Sequence, residues 1–202
     1  IPPILESQFE PVAVEDVKDF RAKYRLPERF WLYVAHLYPH KNHARLLRAY
    51  RNLKGRGFKP WPLVLRGDAK GAEVEVRQTL RHLNLEQDVI WLPRLERTEL
   101  PVLYSSASAL IFPSLYEGGG IPVIEAMACG CPVAASSIPA VMEFGGEAVS
   151  YFDPKDVEAI GQAMMTLQCD AKQQESSRKL GFVRAMDFRA SKVIDKLLTA
   201  YS

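Results

Sequence analysis

Short apolar runs alternate along the chain with longer stretches in which apolar residues return every three or four positions. The runs predict strands at Phe30–Leu37, Leu63–Arg66, Val89–Leu92, Ala109–Phe112, Val133–Ala135 and Ala148–Phe152. The helical spacing predicts Val14–Tyr24, Asn42–Lys54, Glu73–His82, Glu99–Ser105, Pro122–Ala128 and Val157–Thr166, with further helix toward the C-terminus. Strands that are apolar nearly throughout, separated by helices, belong to a parallel sheet covered on both faces. The expected fold class is therefore α/β: a doubly wound, Rossmann-like parallel sheet of about six strands. Ligands of such sheets lie beyond the strands' C-terminal ends. Residues 1–27, punctuated by prolines, are expected to be a linker and lead-in helix, and 28–202 the domain proper.

The stretch Phe112-Pro-Ser-Leu-Tyr-Glu117-Gly-Gly-Gly-Ile-Pro-Val-Ile-Glu125 carries the clearest chemistry. A buried-type strand runs into three glycines, which open a helix. Gly118, Gly119 and Gly120 permit positive φ and let a ligand approach bare backbone. Pro122 suits the first helical position, and Gly130 stops the helix after about two turns. A helix start exposes unpaired amides, here Gly118 to Ile121, and attracts an anion. Glu117 and Glu125 flank it. Carboxylates are poor phosphate ligands and good acceptors for sugar hydroxyls, so the implied ligand carries both phosphate and sugar.

That spacing, followed by Ala-Cys-Gly-Cys-Pro-Val, resembles the EX7E motif of retaining glycosyltransferases with the GT-B fold, closest to family 4. Further blocks resemble the family in order: Ile1-Pro-Pro-Ile, Trp31 to Asn42, Ser136 to Glu143 and Tyr151-Phe-Asp-Pro154. The resemblance covers nearly the whole chain. It implies that residues 28–202 bind a nucleotide-sugar donor, linked to GDP or UDP, and that an N-terminal acceptor domain is missing. It implies roles for individual residues as well. Glu125 matches the glutamate that holds the ribose, and Glu117 the one that approaches the transferred sugar. Lys41 matches a phosphate contact, Gly67 the glycine turn near the phosphates, and Arg94 lies where relatives cradle the base. Many relatives carry Gly-Arg after the first strand, where this chain has Ala35 and His36. His36 replaces that arginine only when protonated. Retention without a protein nucleophile implies front-face attack, with the leaving diphosphate taking the acceptor proton. The acceptor is a glycan or lipid-linked molecule, and no cofactor is expected, the nucleotide sugar being a substrate. The Tyr-Pro-His-Lys-Asn loop makes mannosyl transfer from GDP-mannose the first guess.

Composition narrows the field little. The 202 residues carry a net charge of +2, too small to imply a nucleic-acid partner. Nothing reaches the length of a membrane span, and Ile1 in place of Met suggests a fragment. Three cysteines lack the partners for a zinc site and are expected to be buried thiols in a reducing, cytoplasmic setting. His36, His40 and His43 straddle a proline without a nearby carboxylate, so no metal is expected. No acid lies between Arg29 and Asp68, and Lys41, Arg45, Arg48 and Arg51 oppose an apolar face of Leu46, Leu47, Tyr50 and Leu53. This is either a solvated face or a peripheral contact with an anionic membrane. Two other readings compete with the transferase. A glycoside hydrolase would need one of Glu117 and Glu125 protonated, whereas Glu125 beside amide donors is expected to be ionised. A non-catalytic nucleotide-binding or interaction module would have the same fold. No Gly-x-Gly-x-x-Gly follows the first strand, against a dinucleotide oxidoreductase.

Overall fold

The computed structural model describes residues 3–201, so Ile1 and Pro2 of the Ile1-Pro-Pro-Ile block lie outside the described residues. Its strands are β1 (Trp31–Val34), β2 (Leu63–Arg66), β3 (Val89–Trp91), β4 (Ala109–Phe112), β5 (Val133–Ser136) and β6 (Val149–Phe152). They form one parallel six-stranded sheet in the order β3-β2-β1-β4-β5-β6. The doubly wound sheet is as expected, and β1–β4 is its switch point, where strand order reverses. β1, β4 and β5 are buried along their whole length, which is why they read as continuous apolar runs.

The helices are α1 (Val14–Tyr24), α2 (His43–Gly55), α3 (Glu73–His82), α4 (Leu100–Ser106), α5 (Ile121–Ala128), α6 (Pro139–Gly145), α7 (Val157–Cys169), α8 (Ala171–Met186) and α9 (Ala190–Tyr201). α2, α3 and α7 pack together on one face of the sheet, while α1, α4, α5 and α8 follow one another on the other. Leu46, Leu47, Tyr50 and Leu53 of α2 are buried, as its periodicity predicts. α6, with only seven residues and the small Pro139, Ala140 and Gly145 among them, was not among the expected helices. α8 shows little amphipathicity because its packed face is made of small residues. Ser177, Gly181 and Ala185 are buried, and a Cβ on Gly181 would lie 3.1 Å from Met127 of α5.

The lead-in segment is packed, not loose. Leu5, Phe9, Phe20 and Leu26 belong to the same core as the sheet. Cys129 and Cys131 are buried thiols as expected, but Cys169, at the end of α7, is exposed, because it falls on the outward face of that helix.

Candidate functional site

The sheet's switch point brings together the loops after β1 and β4. Beyond β1 the chain turns through a short 3-10 segment (Pro39–Lys41) into Asn42, which sits in the left-handed region at φ 63° before α2. Asn42 is buried, and its amide donates to Pro113 O (2.9 Å) and Pro154 O (2.7 Å). It thereby ties the start of α2 to the ends of β4 and β6. The Tyr33 hydroxyl donates to Lys41 O at 2.5 Å, and Leu115 N–H donates to His40 O at 2.8 Å. These bonds leave Lys41 little freedom.

Lys41 meets Glu117 there: Nζ donates to Oε1 at 2.6 Å, with side chains only 16% and 9% exposed. The two expected catalytic residues are thus neighbours, each partly withdrawn from water. The Lys41 ammonium also lies 5.8 Å from the Phe112 ring. Turned inward, it does not belong to the basic face of α2. Neither does Arg45, which is half-buried and donates to Asn42 Oδ1, so Arg48 and Arg51 are what that face exposes.

The glycine turn differs from expectation. None of Gly118, Gly119 and Gly120 has positive φ. Their smallness matters through packing instead: a Cβ on Gly119 would lie 3.2 Å from Phe144, and one on Gly120 3.7 Å from Val141. Gly118 faces open space. The Ile121 N–H is taken by Gly119 O at 3.0 Å, which removes it from the expected anion donors. The amides of Gly118, Gly119 and Gly120 make no hydrogen bond to the protein among the described residues. Pro122 occupies the second helical position and not the first, because Ile121 begins α5. Gly130, at φ 72°, follows the helix end as the sequence implied.

Glu125 lies in α5 and is 2% exposed. What faces it is not the glycine amides. Tyr104 Oη donates to Oε2 at 2.8 Å, and Arg97 Nη2 lies 2.6 Å from Oε1 without a well-aligned hydrogen bond. Burial raises the Glu125 pKa above the ordinary carboxylate value, outweighing the opposite pull of Arg97 and Tyr104. The amide donors expected beside it are replaced by Tyr104 and Arg97. Arg97 escaped the sequence reading, which singled out Arg94 three residues earlier. Arg94 is exposed on the loop after β3, while Arg97 turns back toward α5. No local pattern marks Arg97 out, since its partner is 28 positions away in sequence (Arg97 to Glu125).

Gly67 is required by its neighbour strand. A Cβ there would fall 1.8 Å from Ala35 O, at the end of β1. His36 Nδ1 accepts the Asp68 N–H at 3.2 Å and lies 3.8 Å from the Asp68 carboxylate. The three histidines diverge: His40 stacks on Tyr38 and His43 is buried against Tyr33. Among the described residues no cluster of three or more potential ligands is placed to hold a metal ion, and no helix is long and apolar enough to cross a membrane.

The fold and site define a doubly wound α/β domain whose ligand edge presents a lysine–glutamate pair, free backbone amides and a second, covered glutamate. The family model for glycosyl transferases group 1 matches residues 16–181, and the chain belongs to that family. It is 31% identical over 180 residues to the O-antigen chain mannosyltransferase B of Escherichia coli, covering 89% of this chain and 47% of that protein. It thus spans about half the length of that relative. Among solved structures, the sucrose-phosphate synthase of Thermosynechococcus elongatus aligns over the full chain and 51% of its own, with a TM-score of 0.83 and 27% identity. A protein of Anabaena crystallised with UDP-glucose aligns over 98% of this chain and 55% of its own, with a TM-score of 0.84 and 19% identity. The neighbours are GT-B glycosyltransferases, and this architecture is that of one half of them.

Proposed function

We propose that this chain is the donor-binding half of a retaining, family 4 glycosyltransferase that passes a hexose from a nucleotide-diphosphate sugar to a glycan or lipid-linked acceptor. The observation that carries it is the Lys41–Glu117 pair, held 2.6 Å apart beside the free amides of Gly118 to Gly120. When the sugar–phosphate bond breaks, charge grows on the departing diphosphate. Preorganised amides and an ammonium stabilise such charge, each worth ~3–4 kcal/mol where a comparable oxyanion donor has been removed. Lys41 must turn part of its hydrogen bonding from Glu117 to the phosphates, which frees Glu117 Oε1 for a sugar hydroxyl. Glu125 accepts from the ribose. No cofactor takes part, and the departing diphosphate itself removes the acceptor's proton.

The E. coli relative's name favours a mannose donor, and the Tyr-Pro-His-Lys-Asn loop led to the same guess, so GDP-mannose is the first donor to test. The two buried free thiols fit a reducing, cytoplasmic setting, and Arg48 and Arg51 offer the remaining support for peripheral contact with anionic lipid. Membership in the group 1 glycosyl transferases disfavours the hydrolase reading. The alternative is a nucleotide-binding module with no activity of its own; transfer assays with and without an added N-terminal half separate the two.

Calorimetric titration with GDP-, UDP-, ADP- and dTDP-sugars tests the proposal. One donor should bind, and Glu125→Ala should weaken it by about tenfold, some 1.4 kcal/mol. Unchanged affinity in that variant would remove the ribose assignment.

A further inference from the structure

Glu125 as it stands cannot do what is proposed for it. Beside it is a cavity of ≈ 20 Å³, walled by Pro3, Ile4, Leu5, Glu6, Arg97 and Ile121 among others. That is space for about one water, whereas small-molecule pockets run to roughly 300–1,000 Å³. Glu125 Oε1 faces Arg97 Nη2 at 2.6 Å, so the guanidinium stands where a ligand would have to approach.

The cover is built from both ends. Arg97 Nη2, near Glu125, also donates to Glu6 Oε1 at 2.6 Å; Arg97 Nε donates to the same oxygen at 3.0 Å, and the guanidinium lies 4.7 Å from the Phe9 ring. On the far side, Leu5 N–H donates to Phe188 O at 2.8 Å, and Arg189 donates to Glu6 O (2.8 Å) and Phe9 O (2.7 Å). One arginine therefore joins a buried acid to an exposed one.

We infer that residues 3–9 form a clasp over Glu125 with the Glu6–Arg97 pair as its catch, and that the ribose of a nucleotide reaches Oε1 only when the catch opens. This rests on the reading of Glu125 as the ribose acceptor. A vicinal diol brings two hydroxyl donors to the carboxylate once the guanidinium is drawn aside. Glu6 is 51% exposed and its pair with Arg97 is open to water and screening, so the clasp opens there and Arg97 is free to swing out. Apparent affinity for a covered site is lowered by the fraction of molecules that are open. Weakening the catch therefore strengthens binding.

The test titrates GDP and UDP into the wild-type chain, Glu6→Gln and Glu125→Gln. Glu6→Gln alters an exposed carboxylate and leaves the core untouched. It should bind the preferred nucleotide about three- to tenfold more tightly and associate faster. Hydrogen exchange at the Leu5 and Phe9 amides should speed up when nucleotide binds. Equal or weaker binding by Glu6→Gln, or amides that stay protected in the complex, overturns the clasp alone if Glu125→Gln still weakens binding. Affinity unchanged in Glu125→Gln, or nucleotide binding by none of the three, removes the ribose reading and the clasp with it.

Discussion

His43 shows how much a single side chain near this site depends on its surroundings. It opens α2, buried against the Tyr33 ring with a centroid distance of 4.7 Å, and its Nδ1 has no hydrogen-bond partner. Burial first, and the charge of Lys41 second, push its pKa down to about 4. An unfolded histidine titrates near ~6.5, so between these values the unfolded chain binds a proton that the folded chain refuses. Stability is therefore undiminished by this group above the unfolded value. It falls as pH drops through the window, by up to roughly 3 kcal/mol. Thermal unfolding midpoints measured from pH 7 down to pH 4 should show the loss, and His43→Phe should abolish most of it. Parallel curves for the two proteins would assign the slope to other groups.

At the scale of elements, the edge where β1 and β2 end is set by backbone contact. Gly67 leaves no room for a methyl group, since its Cβ would meet Ala35 O at 1.8 Å. Gly67→Ala must push the two strand ends apart, and should cost upward of about 3 kcal/mol, at the high end for overpacking. Urea unfolding of the variant measures this, and a loss under 1 kcal/mol, the scale of a harmless surface change, would show that the strand ends yield easily. The sequence had tied this glycine to the phosphates. The structure adds a packing reason for it, since the atom it makes way for belongs to a neighbouring strand. A limit of the sequence shows at the glycines before α5. Their presence was legible, and their φ values were not, because a glycine can answer either a turn or a close neighbour.

The whole molecule depends on Asn42 more than its place in a loop suggests. Its one amide group joins the exits of β4 and β6 to the start of α2, and Lys41 is held by the same loop. Asn42→Ala strands the carbonyls of Pro113 and Pro154, and gives up a left-handed conformation that Asn tolerates better than Ala. We expect a loss of about 2–4 kcal/mol in stability together with weaker donor binding. Denaturant melts and nucleotide-sugar titration check the two parts separately. A variant that loses stability yet binds donor as well as wild type would show that Lys41 is positioned without it.

The amino-acid order alone determined the alternation of strand and helix, the membership of a glycosyltransferase family, and the nomination of Lys41, Glu117 and the glycine turn. Those are local properties: periodicity, helix-start chemistry and motif spacing operate over a few residues. Only the folded chain decided that Lys41 and Glu117, 76 positions apart, share a hydrogen bond. It alone set Arg97 beside Glu125, and drew residues 3–9 across that carboxylate. Such pairings follow from strand order and from where the chain returns across the sheet. They are fixed by the burial of a common core, and no short stretch of sequence contains them.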